Sequence, residues 1–367
     1  MKALILTCST GGGHHAGAAA LSEALAEHGI PSVIKDCLDL ISPAKAKLIS
    51  EGHILLYRRA PKLFGAGYRF EEQHTPRFIR SQCEDCADAL QAYLQQEACT
   101  MVISVHVFSA LIFTAAKEKY RLSLPGYFVA TDYTCSPGVS MTRQDAYFIP
   151  HADLRNEFIA CGVPEERLIA TGIPVSPQFC RARRREEARV ALGLPTGGRM
   201  VLLTCGSMGA GPMEELTVLL DRELQEGDHL AVICGTNEKL REKLLHHKLS
   251  PAVHITGFTN RMSLYMDAAD VLLTKAGGLS STEAVMKRLP LVYVDVIPGL
   301  EERNIHFMVS HGCAYTAHGP EGLCRLTCRL LDAPHLLRQC RDNMVRNFPT
   351  PAAEQICAYL CNETGYA

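Results

Sequence analysis

Apolar residues in the first half of the chain fall into short unbroken runs, separated by stretches in which they recur three and four positions apart. "KALILT" (2–7), "SVIKD" (32–36), "MVISV" (101–105) and "GYFVA" (126–130) predict strands; 15–28, 77–97 and 108–119 predict helices. Strands that alternate with helices imply a parallel sheet covered on both faces. The rhythm breaks between 37 and 80, where "PAKAKLISEGHILLYRRAPKLFGAGYRF" forms an amphipathic, basic insertion containing Arg58, Arg59, Lys62 and Arg69. It breaks again at "TGIPVSPQFCRARRREEARVALGLPTGG" (171–198), whose prolines and closing glycines predict an interdomain linker with an entry helix. Its arginines read as a solvated helix face partnered by Glu186 and Glu187, rather than as a nucleic-acid patch.

The alternation then restarts, with strands predicted at 200–206, 230–235, 253–256, 271–274 and 291–295. The pattern therefore predicts an α/β protein with two Rossmann-like domains facing across a cleft. The first spans 1–172 and the second 173–345, while a helical tail (346–367) packs back toward the first. Ligands of such sheets bind outside the carboxyl ends of the strands, so the loops that follow the strands are where chemistry is expected.

Composition narrows this picture only a little. A formal charge of −2 over 367 residues gives no overall pull toward nucleic acid. Sixteen cysteines are scattered rather than paired, and Met1-Lys2 runs straight into a strand instead of a signal peptide. Both features predict a reduced, cytoplasmic chain. The CxxC at Cys83 and Cys86 has no second pair at zinc spacing, so no metal is expected there. "MVISVHVFSALIFTAA" (101–116) is too short and too polar for a membrane span.

Three glycine loops carry the candidate chemistry. The first, Gly11-Gly-Gly13-His-His-Ala16, fits the G-x-G-x-x-A form of a dinucleotide fingerprint, with Asp36 ending the next strand. Its histidines stand at a helix N-terminus, where a neutral imidazole is favoured and can act as a general base. A capping or packing histidine is the plainer alternative. The second loop, "LLTCGSMGAGP" (202–212), offers backbone N–H groups to a phosphate around Ser207. The third, "LLTKAGGLSSTEA" (272–284), places Gly277 and Gly278 after a strand, Ser280 at a helix start and Glu283 in its first turn. Amides and hydroxyls there suit a diphosphate, and an ionised Glu283 can accept from both hydroxyls of a ribose. A capping box from Ser280 to Glu283 explains part of this pattern, but not the two glycines. Beyond them, "DVIPGLEERNIHFM" (295–308) opens a helix with Glu301, Glu302 and Asn304, residues that suit sugar hydroxyls or simply a first helical turn.

In order along the chain, "TGGGHHAGAAAL", "VATDYT", "TGIPVSPQF", "ICGTNEKLREKL", "VHITGFTNRMSLYMDAADVLLTKAGGLSSTEAV" and "PGLEERN" resemble one family throughout. It comprises the processive diacylglycerol glucosyltransferases and plant-type monogalactosyldiacylglycerol synthases, relatives of the peptidoglycan UDP-GlcNAc transferase in glycosyltransferase family 28, with the GT-B fold. The resemblance implies transfer of a hexose from UDP-glucose or UDP-galactose to diacylglycerol, without metal or other cofactor and with inversion to a β-glycoside. It implies that His14 assists deprotonation of the acceptor. Ser207, Gly277, Gly278 and Ser280 would lie at the diphosphate, Phe258 and Met262 at the uracil, Glu283 at the ribose, and Glu301 and Asn304 at the hexose. Arg58, Arg59, Lys62 and Arg69 would dock the protein on an anionic membrane surface, peripheral on the inner face of the cell membrane. No D-x-D stands on a strand-end loop of the second domain, in keeping with a metal-independent transferase.

Some positions depart from the family pattern. Leu300 replaces the glutamine of P-G-Q-E and cannot bond a sugar hydroxyl, which leaves the donor hexose open. His106-Val-Phe108 replaces His-Pro-Phe, Thr236 stands where an arginine is usual, and the chain has no tryptophan. The alternatives are a polyprenyl-linked or soluble acceptor, an NAD-dependent oxidoreductase using Gly11–Ala16 with Asp36, and a nucleotide-sugar sensor without turnover.

Overall fold

In the computed structural model, residues 1–9, 12–40, 77–294, 299–348 and 350–364 are described. The basic insertion with Arg58, Arg59, Lys62 and Arg69 lies outside them, as do Gly11 and Pro298. The chain divides into two compact units, one of Met1–Pro177, Ile297–Leu300 and Thr350–Ala367, the other of Gln178–Val296 and Glu301–Pro349.

The first unit is built on a parallel sheet of β1 (Ala3–Thr7), β2 (Ser32–Asp36), β3 (Met101–Ser104), β4 (Gly126–Val129), β5 (Ala146–Ile149) and β6 (Leu168–Ala170), ordered β2-β1-β3-β4-β5-β6. β5 and β6 are additions to the pattern-based strands. Helices α1 (Gly12–Glu27), α2 (Arg77–Glu97), α3 (Val107–Tyr120) and α4 (Arg155–Ala160) belong to the same unit. Alternation along β1 divides its side chains between two cores. Ala3 and Ile5 pack with Ala18, Leu21 and Leu25 of α1, whereas Leu4 and Leu6 pack with residues of α2 and α3. With both faces covered, every β1 residue is buried, which is why the run reads as continuously apolar. Cys83 and Cys86 are buried in the second of these cores.

After the short α5 (Pro177–Cys180) and α6 (Arg185–Leu192), the second unit repeats the plan. Its strands are β7 (Met200–Thr204), β8 (His229–Ile233), β9 (Val253–Thr256), β10 (Val271–Thr274), β11 (Leu291–Tyr293) and β12 (Ala314–Thr316), all parallel and ordered β12-β11-β10-β7-β8-β9. The helices are α7 (Met213–Glu223), α8 (Glu238–His246), α9 (Met262–Ala268), α10 (Gly278–Met286), α11 (Leu300–Ser310), α12 (Gly319–Asp332) and α13 (Pro334–Asn347). A last helix, α14 (Ala352–Thr364), returns to the first unit, where Ala353, Ile356, Cys357 and Leu360 join the α1 core.

The reading of the arginine segment as a solvated face needs correction at Arg189, which is fully buried. Its guanidinium donates to the carbonyls of Ala268, Gly197 and Gly198 at 2.8–2.9 Å and meets Asp270 at 3.4 Å. Asp270 also receives Arg185, at 2.7 Å, and the Met200 N–H. The buried arginine thus ties α6 to the chain entering β7 and β10. Satisfying so many carbonyls is what makes burial of this charge tolerable.

Candidate active site

In each sheet the strand order reverses once, between β1 and β3 in the first and between β7 and β10 in the second. A crevice outside the carboxyl ends of the strands opens at such a point. Among the described residues, His14, Ser207, Gly277, Gly278, Ser280 and Glu283 follow these strands.

In the first unit, His14 occupies the first turn of α1, directly after β1. Its Nδ1 lies 2.9 Å from the hydroxyl of Thr131, a buried residue following β4. The Thr131 hydroxyl in turn points to the Val105 carbonyl at 3.5 Å. A Thr131 hydroxyl that donates to this carbonyl can accept a hydrogen bond from Nδ1–H, the tautomer that puts the basic lone pair of His14 on Nε2. The ring of His106 stands edge-on against His14, with centroids 4.6 Å apart. His106 is itself fixed because its Nδ1 caps α3, accepting from the Phe108 N–H at 3.1 Å. Residues from the ends of β1, β3 and β4 therefore hold one imidazole in a defined orientation. Thr131 was not among the predicted residues, although the T-D stretch that contains it was noticed.

Asp36, the acidic residue that follows the G-x-G-x-x-A stretch, is engaged within the first unit. It accepts from the Ser9 hydroxyl and from the Leu38 N–H at 2.9 Å, and it faces His15 Nε2 at 3.3 Å. His15 also meets the Ser9 hydroxyl at 2.8 Å. This trio closes the carboxyl end of β2 over β1.

In the second unit, α10 begins at Gly278 with Gly277 as its N-cap and no side-chain cap. Two expectations are corrected here. The Ser280–Glu283 capping box is not formed, and Glu283 lies in the second turn because the helix starts two residues earlier than Ser280. The leading N–H groups of α10 have no carbonyl within the helix to bond, and the half-buried Ser280 sits among them. The far end of the helix is anchored by Lys287, whose ammonium meets Asp267 at 2.7 Å and the Arg181 carbonyl at 2.6 Å. Ser281 bonds the Gly277 carbonyl and the Tyr293 hydroxyl, at 2.8 and 2.7 Å. Ser281 is thus engaged within the protein rather than offered to a ligand.

Burial pushes the Glu283 carboxyl up to about 8. The loop after β7 interlocks with the one after β8, for the Ser207 carbonyl accepts from both the N–H and hydroxyl of Thr236, at 2.8 and 3.1 Å. Gly235 has φ +59°, and a side chain there would collide with that carbonyl. Thr236, standing where the family has arginine, therefore pins the Ser207 loop. Phe258 is 67% exposed in the turn after β9, and Met262 is half-buried at the start of α9. An aromatic face this open is available for stacking. Glu301 and Asn304 are both buried in α11, and Asn304 donates to the Ala276 carbonyl at 2.9 Å. That bond fastens α11 to the glycine turn. Lys275, missed in the sequence reading, is joined to Glu301 by a 3.4 Å contact.

Comparison with known proteins agrees in both units. Residues 14–175 match the monogalactosyldiacylglycerol (MGDG) synthase family, and 200–317 match the glycosyltransferase family 28 C-terminal domain. A processive diacylglycerol beta-glucosyltransferase of Staphylococcus carnosus is 24% identical over 95% of this chain and 90% of its own. A probable chloroplastic monogalactosyldiacylglycerol synthase 2 of rice (Oryza sativa subsp. indica) is 30% identical over 62% of this chain and 51% of its own. Among solved structures, MurG of Acinetobacter baumannii superposes with a TM-score of 0.64 at 14% identity, covering 98% of this chain and 99% of the other; at that identity the likeness speaks for the GT-B fold. Among the described residues no helix is long and apolar enough to cross a membrane. Matched in order through both of its units, the chain belongs to the family of monogalactosyldiacylglycerol synthases and processive diacylglycerol glucosyltransferases, enzymes of glycosyltransferase family 28.

Proposed function

We propose that the protein transfers a hexose from a UDP-sugar to diacylglycerol, forming a β-glycosyl glycolipid by direct inversion. The observation that carries the donor half is α10, a helix whose uncapped N-terminus follows a glycine turn and whose Glu283 carboxyl is desolvated. The leading amides of the helix, with Ser280, Gly277, Gly278 and the Ser207 loop, receive the diphosphate. Phe258 and Met262 take the uracil, Glu283 the ribose hydroxyls, and Glu301 and Asn304 the side of the site that meets the hexose.

In the acceptor half, His14 Nε2 removes the proton of the lipid hydroxyl as its oxygen attacks the anomeric carbon. Thr131 keeps Nδ1 protonated, so the imidazolium that forms retains its hydrogen bond. Charge that develops on the departing UDP is met by fixed amide dipoles, which need no reorganisation during the reaction. Arg58, Arg59, Lys62 and Arg69 draw the protein to an anionic membrane surface, with a gain of roughly 1 kcal/mol per basic residue.

Calorimetry with UDP, UDP-glucose and UDP-galactose, followed by transfer to diacylglycerol in liposomes, tests this reading. Glu283→Ala should abolish UDP binding. His14→Ala should leave UDP binding intact and reduce transfer by about 100-fold or more. The preferred donor will show what Leu300 does to hexose choice. Failure of the wild-type protein to bind UDP, or transfer to soluble acceptors alone, would sink the proposal.

A further inference from the structure

We infer that the carboxyl ends of β1 and β2 form a structural zinc site, with Cys8, Cys37, Asp36 and His15 as its ligands. The site lies wholly in the first unit and is independent of the nucleotide reading of the second. Strand register brings the two cysteines together. β1 and β2 are parallel neighbours with Thr7 opposite Asp36. Cys8 and Cys37, each the first residue beyond its strand, are therefore the next pair in line. Both are buried, and their sulfurs and a carboxylate oxygen of Asp36 all lie within 4.8 Å of one another. His15, near the start of α1, brings the fourth donor, its Nε2 3.3 Å from Asp36 Oδ2.

The donor set selects the metal. Two thiolates, an imidazole and a carboxylate are the ligands of tetrahedral zinc, and four protein ligands leave no open position, the mark of a structural ion rather than a catalytic one. Ligands about 2.0–2.3 Å from such an ion stand roughly 3.3–3.8 Å apart. From a present spacing within 4.8 Å, the contraction required is no more than about 1.5 Å.

The outer contacts also suit the ion. The Leu38 N–H donates to Asp36 Oδ1 at 2.9 Å and holds the carboxylate in place. The Ser9 hydroxyl meets both Asp36 Oδ2 and His15 Nε2; it keeps the carboxylate when the imidazole turns to the metal. Such partners orient ligands and raise affinity. The cysteines are set in an apolar core with Leu4, Leu6, Leu38 and Leu90, where thiolates are costly unless a cation accompanies them. Zinc binding displaces one proton from each thiol. The ion then clasps the ends of β1 and β2 to the start of α1, beside His14.

Wild-type protein with its thiols kept reduced is loaded with zinc, dialysed against metal-free buffer and assayed for bound metal, with X-ray absorption at the zinc edge to identify the ligands. One zinc per chain is expected, with two sulfurs at about 2.3 Å and two nitrogen or oxygen ligands at about 2.0–2.2 Å. The double variant Cys8→Ser, Cys37→Ser should bind no zinc, and zinc should raise the unfolding temperature of the wild type but not of this variant. Ser9→Ala, which keeps all four ligands, should weaken zinc by about 10- to 100-fold, so a result is obtained even where the double variant fails to fold. A wild-type protein that retains no zinc, or a zinc surrounded by four sulfurs, would overturn the assignment. So would a double variant that still holds zinc, or unchanged affinity in Ser9→Ala.

Discussion

Glu283 joins a geometric position to a measurable proton. With its carboxyl pushed up to about 8 by desolvation, it is largely protonated at neutral pH, whereas a ribose that donates two hydrogen bonds favours the ionised form. Binding of UDP below pH 8 must therefore release a proton. Affinity should rise with pH by up to about tenfold per unit and level off above about pH 8. Titrations in buffers of different ionisation enthalpy count that proton, and Glu283→Gln should give a flat profile; a flat wild-type profile would refute the role. Residues of this kind were partly legible in the sequence. Gly277, Gly278 and Glu283 announce themselves because glycines after a strand and a carboxylate just beyond have few structural uses together. Lys275 does not, since a lysine leaving a strand looks like any surface cation until its contact with Glu301 is seen. Arg189 misled for the same reason: only the carbonyls that converge on it distinguish it from its exposed neighbours Arg183 and Arg184.

Among elements, the strands that were missed are β5, β6 and β12, of four, three and three residues, lengths at which an apolar run is shared by turns and helices. The equally short β3 and β11 were read because their apolar runs continue past the strand, through Val105 and Val294. The start of α10 was misplaced because glycines carry no helical signal, although here they form its first turn. The tail helix is an element of a different kind. Ile356 of α14 is fully buried against residues of α1 and β3. Ile356→Ala should cost about 2–5 kcal/mol, read as a lower denaturant midpoint for the first unit. Because Ile356 lies outside the second unit, UDP affinity should be retained; loss of UDP binding at native denaturant concentrations would contradict this assignment.

For the molecule as a whole, the doubled α/β plan was visible in the rhythm of strands and helices, and the order of motifs placed it in its family at identities where no single stretch would suffice. Strand order was not visible, because the reversals between β1 and β3 and between β7 and β10 are made by non-local pairing. Nor could periodicity tell which face α14 would cover. That helix has a consequence in time as well as in space. Protein domains commonly fold as units while the chain is still being synthesised. Here the apolar face of α1, made among the first thirty residues, has to wait for residues 352–360 before its core is closed. The second unit, contained between Gln178 and Pro349 apart from a short excursion, is complete earlier. A released chain truncated after residue 349 should therefore hold a protease-resistant second unit beside a first unit that remains cleavable and binds chaperones. Addition of the final helix would then be the event that completes the first unit, after the second. Equal protease resistance of both units in the truncated chain would show that α1 does not wait.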